Sequence, residues 1–246
     1  MISAGEGDDS LTGGQGIDIL AGGAGTRLRD RLGDLPKPMV PIAGKPLPSS
    51  DLANGATVST APRMFRQLGF EVLTIGDRPD GRNINLACGS THPARLSAMV
   101  VSNGCRLGVA FDGDGDRAIF VDHRGHVVDG DAVLLMLGLH AKSQGRLPGD
   151  TVVATVMSNI GLEIALRAGG IALVRTPVGD KYVNEEMLRG QFVLGGEQSG
   201  HVILAEHLPT GDGLATALAV LRAMAETGRE LVDLASALVT YPQTLV

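Results

Sequence analysis

The sequence is poor in several features that would each indicate a particular class of protein. Only 3% of its 246 residues are aromatic and none is Trp, so any core must be built from aliphatic side chains. The two cysteines, Cys88 and Cys105, are too few for a disulfide framework and suit a reducing compartment. No apolar run approaches the roughly 18 residues of a membrane span, and residues 1–19 lack the basic start and apolar core of a signal peptide.

A net charge of −6 argues against nucleic-acid affinity, which needs a basic surface. We therefore expect a cytoplasmic protein with no nucleic-acid and no membrane partner.

What the sequence does contain is an alternation of short apolar runs and helical patterns. Apolar residues make up 43% of the chain and charged residues 20%, which is ordinary for a globular protein. Runs such as 107–111 and 151–156 predict buried strands, and each is followed or preceded by an amphipathic helical pattern. This order predicts an α/β fold of two tandem domains with mixed, mostly parallel sheets. We place a leader at residues 1–50, a first domain at 51–149 and a second at 150–246.

The first 30 residues are rich in glycine at regular intervals. Residues 13–21 fit the nine-residue calcium-binding repeat G-G-x-G-x-D-x-U-x, and residues 4–12 nearly fit it. A parallel β-roll needs several stacked repeats before it buries a core. Two and a half copies are too few, so we expect a flexible leader here.

A second pattern in the leader resembles the signature of sugar-phosphate nucleotidylyltransferases. It comprises residues 20–28 and 35–47, in which Arg27 and Lys37 match the groups that would neutralise a triphosphate. The remainder of that family's domain does not follow. A phosphate loop needs a sheet and a helix behind it, so we interpret residues 1–50 as a poorly ordered remnant.

The densest group of charged side chains directly follows the strand predicted at 107–111. Asp112, Asp114 and Asp116 alternate with glycine and are followed by Arg117. The glycines allow the backbone to turn around an ion without Cβ clashes, and carboxylate oxygens suit Mg²⁺. Arg117 adds a planar, permanently charged guanidinium group, whose N–H donors suit phosphate. The spacing predicts a magnesium site that faces a phosphate, and a solvated acidic turn is the alternative.

The acidic loop is one of several motifs that resemble the α-D-phosphohexomutase family. Together the motifs extend from about Asp51 to Val246 and keep the order found in that family. They are closer to its phosphoglucosamine mutase branch than to its phosphomannomutase branch. The other motifs are residues 51–56, 83–85, 88–93, 178–183, 195–201 and 210–213.

The resemblance implies a Mg²⁺ cofactor and a hexosamine phosphate substrate, converted between the 6-phosphate and the 1-phosphate. Asp112, Asp114 and Asp116 match the metal ligands, and Arg117 matches the basic residue beside them. The substrate-facing loops supply the remaining candidates. Glu197 and Ser199 would bind sugar hydroxyls, and Gly179 and Asp180 would form a substrate loop. Lys181 would either neutralise phosphate or simply be exposed, and His201 is either a general acid/base or a structural histidine.

Two family motifs do not occur in this sequence. One is the Thr-x-Ser-His-Asn loop that carries the phosphoserine, and the other is an Arg-Pro-Ser-Gly-Thr phosphate clamp. We therefore expect little or no turnover from this chain alone. The alternatives are a nucleotidylyltransferase, based on residues 22–37, and a non-catalytic module that binds sugar phosphate and Mg²⁺.

Overall fold

A five-stranded sheet forms the first half of the computed structural model, which describes residues 49–244. The strand order is β2-β1-β3-β4-β5, with β2, β1 and β3 parallel and the β3-β4-β5 meander antiparallel. Its elements are β1 (Ser49–Asp51), α1 (Ala61–Gln67), β2 (Leu73–Ile75), α2 (Ala94–Ser102), β3 (Leu107–Phe111), β4 (Ala118–Asp122) and β5 (Val127–Val128).

A four-stranded sheet forms the second half. The order is β7-β6-β8-β9, in which β7, β6 and β8 are parallel and β9 is antiparallel. Its elements are α3 (Gly130–Ser143), β6 (Thr151–Thr155), α4 (Ile160–Ala168), β7 (Ala172–Thr176), α5 (Asp180–Gly190), β8 (Leu194–Gly196), β9 (Val202–Leu204), α6 (Gly213–Thr227) and α7 (Leu231–Ala235).

The predicted fold class, two α/β domains with mixed sheets, is confirmed. Buried strands and amphipathic helices lie close to where the hydrophobic pattern predicted them. A long, regular spacing of apolar residues is compatible with few alternative secondary structures. Two short strands, β1 and β9, were not predicted. Ser49–Asp51 is polar, yet all three residues are fully buried, and the Ser49 hydroxyl lies 3.1 Å from the Cys105 thiol.

The helix α3 packs with the second sheet. It contacts α4, α6 and α7, and its inner face lies on β6 and β8. The predicted division at residue 149 would assign α3 to the first domain, because Pro148 and Gly149 read as a hinge. That division stays a prediction, and the packing of α3 favours one before Gly130. One continuous core includes Phe111 and Phe120 of the first sheet together with α3 and α6.

Several expectations concern other parts of the chain. The leader motifs at residues 1–48, both the calcium-repeat pattern and the nucleotidylyltransferase signature, lie outside the described residues. Cys88 and Cys105 are buried free thiols. Among residues 49–244 no helix has the length and apolar character needed to cross a bilayer.

Candidate functional site

The acidic loop after β3 is held from both halves of the molecule by backbone hydrogen bonds. Ala56 N–H donates to Gly113 O at 2.8 Å, and Gly213 N–H donates to Gly115 O at 2.9 Å. Gly55 packs so closely that a Cβ there would overlap Gly113 O. The segment after β1 and the first turn of α6 therefore clasp the loop between them.

The three carboxylates of this loop differ in their burial and in their hydrogen-bond partners. Asp112 Oδ1 accepts from the backbone N–H groups of Gly115 (3.0 Å) and Arg117 (3.2 Å). Burial, and then the neighbouring Asp116 carboxylate, raise the pKa of Asp112 to about 6. Asp116 Oδ1 is buried without a hydrogen-bond partner, since the Arg117 Nε is 4.0 Å away. Asp114 is exposed.

The donor chemistry of the acidic loop fits a hard cation, although the three carboxylates do not converge. Within the described range 49–244, no three His, Cys, Asp or Glu side chains are grouped as metal ligands would be. Asp112 and Asp116 are neighbours, and the orphaned Asp116 Oδ1 offers a ready oxygen ligand. Mg²⁺ commonly takes one or two carboxylates and completes its shell with water and phosphate. These two residues therefore fit Mg²⁺, and the role of Asp114 stays a prediction.

His201 connects the acidic loop to the second sheet. Its ring is buried, and Nδ1 lies 3.0 Å from Asp116 Oδ2. The backbones of Arg117 and His201 also form an antiparallel bridge. The ring also packs on Gly211, where a Cβ would collide with its Cε1 and Nε2 atoms. This environment fits a histidine that orients Asp116, and the predicted acid/base role stays open.

The loop after β8 brings three of the predicted substrate-binding residues together. Glu197 Oε1 accepts from Gly179 N–H at 3.1 Å, and Glu197 Oε2 accepts from the Ser199 hydroxyl at 3.3 Å. Gly179 has φ +129°, which side-chain-bearing residues rarely adopt. Asp180 begins α5 beside it and is exposed. The loops after β7 and β8 thus meet at the carboxyl edge of the sheet, where open α/β sheets bind ligands.

Lys181 differs from the other candidates because its described contacts lie within its own helix. Its side chain is 73% exposed, its Nζ is 3.7 Å from a Glu185 carboxylate oxygen, and it lies 5.9 Å from the centre of the Tyr182 ring. The structure does not bring it against the acidic loop or Glu197. Its predicted contact with phosphate remains untested.

Two further acidic residues anchor these loops, and for one of them, Asp129, the sequence predicts helix N-capping or a role behind the metal ligands. Asp212 caps α6 by accepting from Ala215 N–H at 2.9 Å, and burial raises its pKa. Asp129 caps α3 and also accepts from the Gln198 side chain at 3.1 Å. A carboxylate just before a helical pattern is a recognisable capping signal. That Asp129 would also contact the Glu197 loop has no signal in a single sequence.

Comparison with known proteins identifies relatives for the described part of the chain. The family model "Phosphoglucomutase/phosphomannomutase, alpha/beta/alpha domain II" matches residues 49–125, and that for domain III matches residues 129–241. Both begin after the two motifs of the leader, which end at residue 47, so the two resemblances of the leader find no support. The phosphoglucosamine mutase of Moorella thermoacetica is 56% identical over 196 residues, covering 80% of this chain and 44% of that protein. The phosphoglucosamine mutase of Desulforudis audaxviator is 53% identical over 195 residues, covering 79% and 43%.

Solved structures give the same architecture. A phosphoglucomutase/phosphomannomutase family protein of Burkholderia thailandensis superposes with a TM-score of 0.69 at 26% identity, over 78% of this chain and 42% of that one. N-acetylphosphoglucosamine mutase of Aspergillus fumigatus, solved with GlcNAc-6P and magnesium, has a TM-score of 0.62 at 18% identity, over 83% and 48%. The latter similarity shows the fold alone. The chain spans less than half the length of the curated relatives it matches.

Proposed function

The chain belongs to the phosphoglucomutase/phosphomannomutase family, and we propose that its two sheets carry the magnesium-binding and sugar-binding loops of a phosphoglucosamine mutase. The relatives in Moorella and Desulforudis support this assignment. The observation that carries it is the 3.0 Å contact between His201 Nδ1 and Asp116 Oδ2. Through this contact, the loop that would hold a cation and the loop that would bind a sugar face one another.

The reaction of the whole enzyme would interconvert glucosamine 6-phosphate and glucosamine 1-phosphate. Mg²⁺, when bound, supplies charge neutralisation for the transferred phosphoryl group. Asp112 and Asp116 would hold the ion, and Arg117 would add a fixed positive charge beside it. His201 would keep the Asp116 carboxylate in one orientation, so that this ligand is in place before the ion arrives.

Sugar recognition would fall to Glu197 and Ser199. A carboxylate can accept hydrogen bonds from two neighbouring hydroxyls at once, and such bonds are stronger than those between neutral groups. Glu197 is held by Gly179 N–H on one oxygen, whereas its second oxygen faces the exposed Ser199 hydroxyl. The second oxygen and Ser199 would therefore be the groups that meet a sugar.

We place this reaction in the cytosol, because the buried free thiols of Cys88 and Cys105 suit a reducing compartment. The nucleophilic serine expected from the resemblance belongs to a motif that these 246 residues do not contain. The 246-residue chain assayed by itself should therefore bind its ligands without turnover.

The test is a calorimetric titration of Mg²⁺ into the purified chain, with and without glucosamine 6-phosphate, followed by a mutase assay of the same sample. We expect Mg²⁺ binding that the sugar phosphate strengthens, and no turnover. Asp112→Asn should weaken Mg²⁺ binding, whereas Asp233→Asn, at an exposed site on α7, should not. Absence of both Mg²⁺ and sugar-phosphate binding would refute the proposal. Turnover would reveal a nucleophile other than the expected serine.

A further inference from the structure

Asn159 uses its side chain for two separate tasks. Its Oδ1 accepts from Gly161 N–H at 2.9 Å, which caps α4, and also from Tyr241 N–H at 3.0 Å. Its Nδ2 donates to Tyr241 O at 2.8 Å and to Gln243 Oε1 at 3.2 Å. Asn159 is only 3% exposed, although Tyr241 and Gln243 are exposed. One buried amide thus fixes a surface segment that follows α7.

This segment, residues 239–243, forms a strap on the surface of the second half of the molecule. It lies directly on α4, because a Cβ at Gly161 would overlap Val239 O. At its far end the Gln243 side-chain amide donates to Met157 O at 2.9 Å. The strap therefore crosses the loop that follows β6.

The loop that follows β6 has a particular place in the sheet. Because β6 lies between β7 and β8, its carboxyl end lies between the loops that carry Gly179 and Glu197. Those two loops contact each other through the Glu197 carboxylate. The strap is thus anchored at the middle of the edge where the candidate substrate loops meet.

A buried carboxylate links the same loop to the Glu197 loop by another route. Asp131 is fully buried in the first turn of α3, and its Oδ2 accepts from Asn159 N–H at 2.7 Å. The residue before it, Gly130, donates its N–H to Gln198 O at 3.0 Å. The first turn of α3 therefore holds the loop after β6 on one side and the Glu197 loop on the other.

We propose that Asn159 is a positioning residue, which fastens the strap across the carboxyl edge of the second sheet and, through Asp131 and the first turn of α3, helps to fix the Glu197 loop. The continuous set of contacts is Tyr241–Asn159–Asp131–Gly130–Gln198. Release of the strap should loosen the Glu197 loop. These contacts fix the geometry of the Glu197 loop whether or not the proposed catalytic activity is present.

Substitution of Asn159 separates the two tasks of its side chain. Asn159→Asp keeps an oxygen acceptor, and Asp caps helices as well as Asn does. It cannot donate to Tyr241 O or Gln243 Oε1, so the strap should open while α4 stays capped. Hydrogen exchange of the Tyr241 amide should accelerate about tenfold, with the Gly161 amide unchanged. Asn159→Ala should accelerate exchange of both amides.

Gly161→Ala displaces the strap without any change to Asn159. The new methyl group would occupy the position of Val239 O, whereas alanine is otherwise a better helix former than glycine. The strap amides should therefore exchange faster in this variant, and α4 should be retained. If neither Asn159→Asp nor Gly161→Ala changes exchange at Tyr241, the strap is not fastened as we propose.

The link to the Glu197 loop is tested at Asp131. Asp131→Ala removes the acceptor for Asn159 N–H, so exchange of the Tyr241, Gly130 and Glu197 amides should all accelerate, by about threefold or more. Asp131→Asn keeps an acceptor oxygen and should restore them. Amides of β3 and β4 are the control, because general destabilisation would accelerate their exchange as well. Strap release in Asn159→Asp without any change at Gly130 or Glu197 would overturn the link.

Discussion

The two loops that meet at the candidate site are stabilised in different ways. The acidic loop is held by its backbone, and its carboxylates are incompletely satisfied: Asp112 has a raised pKa and the buried Asp116 Oδ1 lacks a hydrogen-bond partner. In the Glu197 loop, by contrast, the carboxylate already bonds to Gly179 N–H and to the Ser199 hydroxyl. The acidic loop has charge that a cation would neutralise, whereas the Glu197 carboxylate is already paired with hydrogen-bond donors of the protein.

The backbone clasp around the acidic loop should be intolerant of any side chain. Gly55→Ala would place a methyl group against Gly113 O, and neither backbone can yield without moving the loop. We expect a decrease of about 3 kcal/mol in the free energy of unfolding, from overpacking. Urea unfolding would measure it, and Mg²⁺ titration should show weakened binding.

The matched control is Gly81→Ala. Gly81 has φ +82° and no neighbour within 4 Å, so it tests the backbone cost alone, about 1 kcal/mol. If Gly55→Ala is no more destabilising than Gly81→Ala, the clasp does not constrain the acidic loop.

The Glu197 loop should depend on the shape of its carboxylate more than on its charge. Glu197→Gln keeps an oxygen for Gly179 N–H, whereas Glu197→Ala leaves that donor without its partner. Glu197→Ala should therefore lower the free energy of unfolding by about 1.5 kcal/mol, and Glu197→Gln by much less. Equal losses in the two variants would mean that the negative charge itself stabilises the loop.

The acidic loop should make folding stability depend on pH. Burial and Asp116 raise the pKa of Asp112 from 3.8 to about 6, so between these values the folded state binds more protons than the unfolded state. The free energy of unfolding contributed by Asp112 is then fully present below pH 3.8 and is lost as the pH rises through 6. Because Asp112 is only half-buried, we expect a change of about 1 kcal/mol.

Urea unfolding of wild type and Asp112→Asn at several pH values isolates this contribution, since Asp131, whose pKa burial also raises to about 6, is present in both. Mg²⁺ should remove most of the difference, because a bound cation favours the ionised carboxylate. If the free energy of unfolding depends on pH in the same way in wild type and in Asp112→Asn, ionisation of Asp112 does not destabilise the folded acidic loop.

The sequence predicted the helices and strands better than it predicted which residues of different elements contact one another. Apolar runs such as β3 and β6 have a strong periodic signal, whereas β1 is polar and is buried only because of its neighbours. The acidic residues were recognised as a cluster because they are adjacent in sequence. The contact between Asp116 and His201 joins residues 85 positions apart, and only the packing of the two sheets brings them together.

Lys181 provides the smallest and most discriminating test, because the resemblance implies a contact with phosphate whereas its described contacts lie within its own helix. Its side chain is 73% exposed and its ion pair with Glu185 spans 3.7 Å, and such surface pairs contribute little. Lys181→Ala should therefore change the free energy of unfolding by less than about 0.5 kcal/mol. From the exposure of its side chain we expect the affinity for glucosamine 6-phosphate to stay within about twofold of wild type, since a solvated charge is screened. Arg189→Ala, at an exposed basic side chain with an ion pair on the same helix, is the control. A much larger loss of affinity, without loss of stability, would mean that Lys181 turns towards the phosphate when the sugar binds, as the resemblance implies.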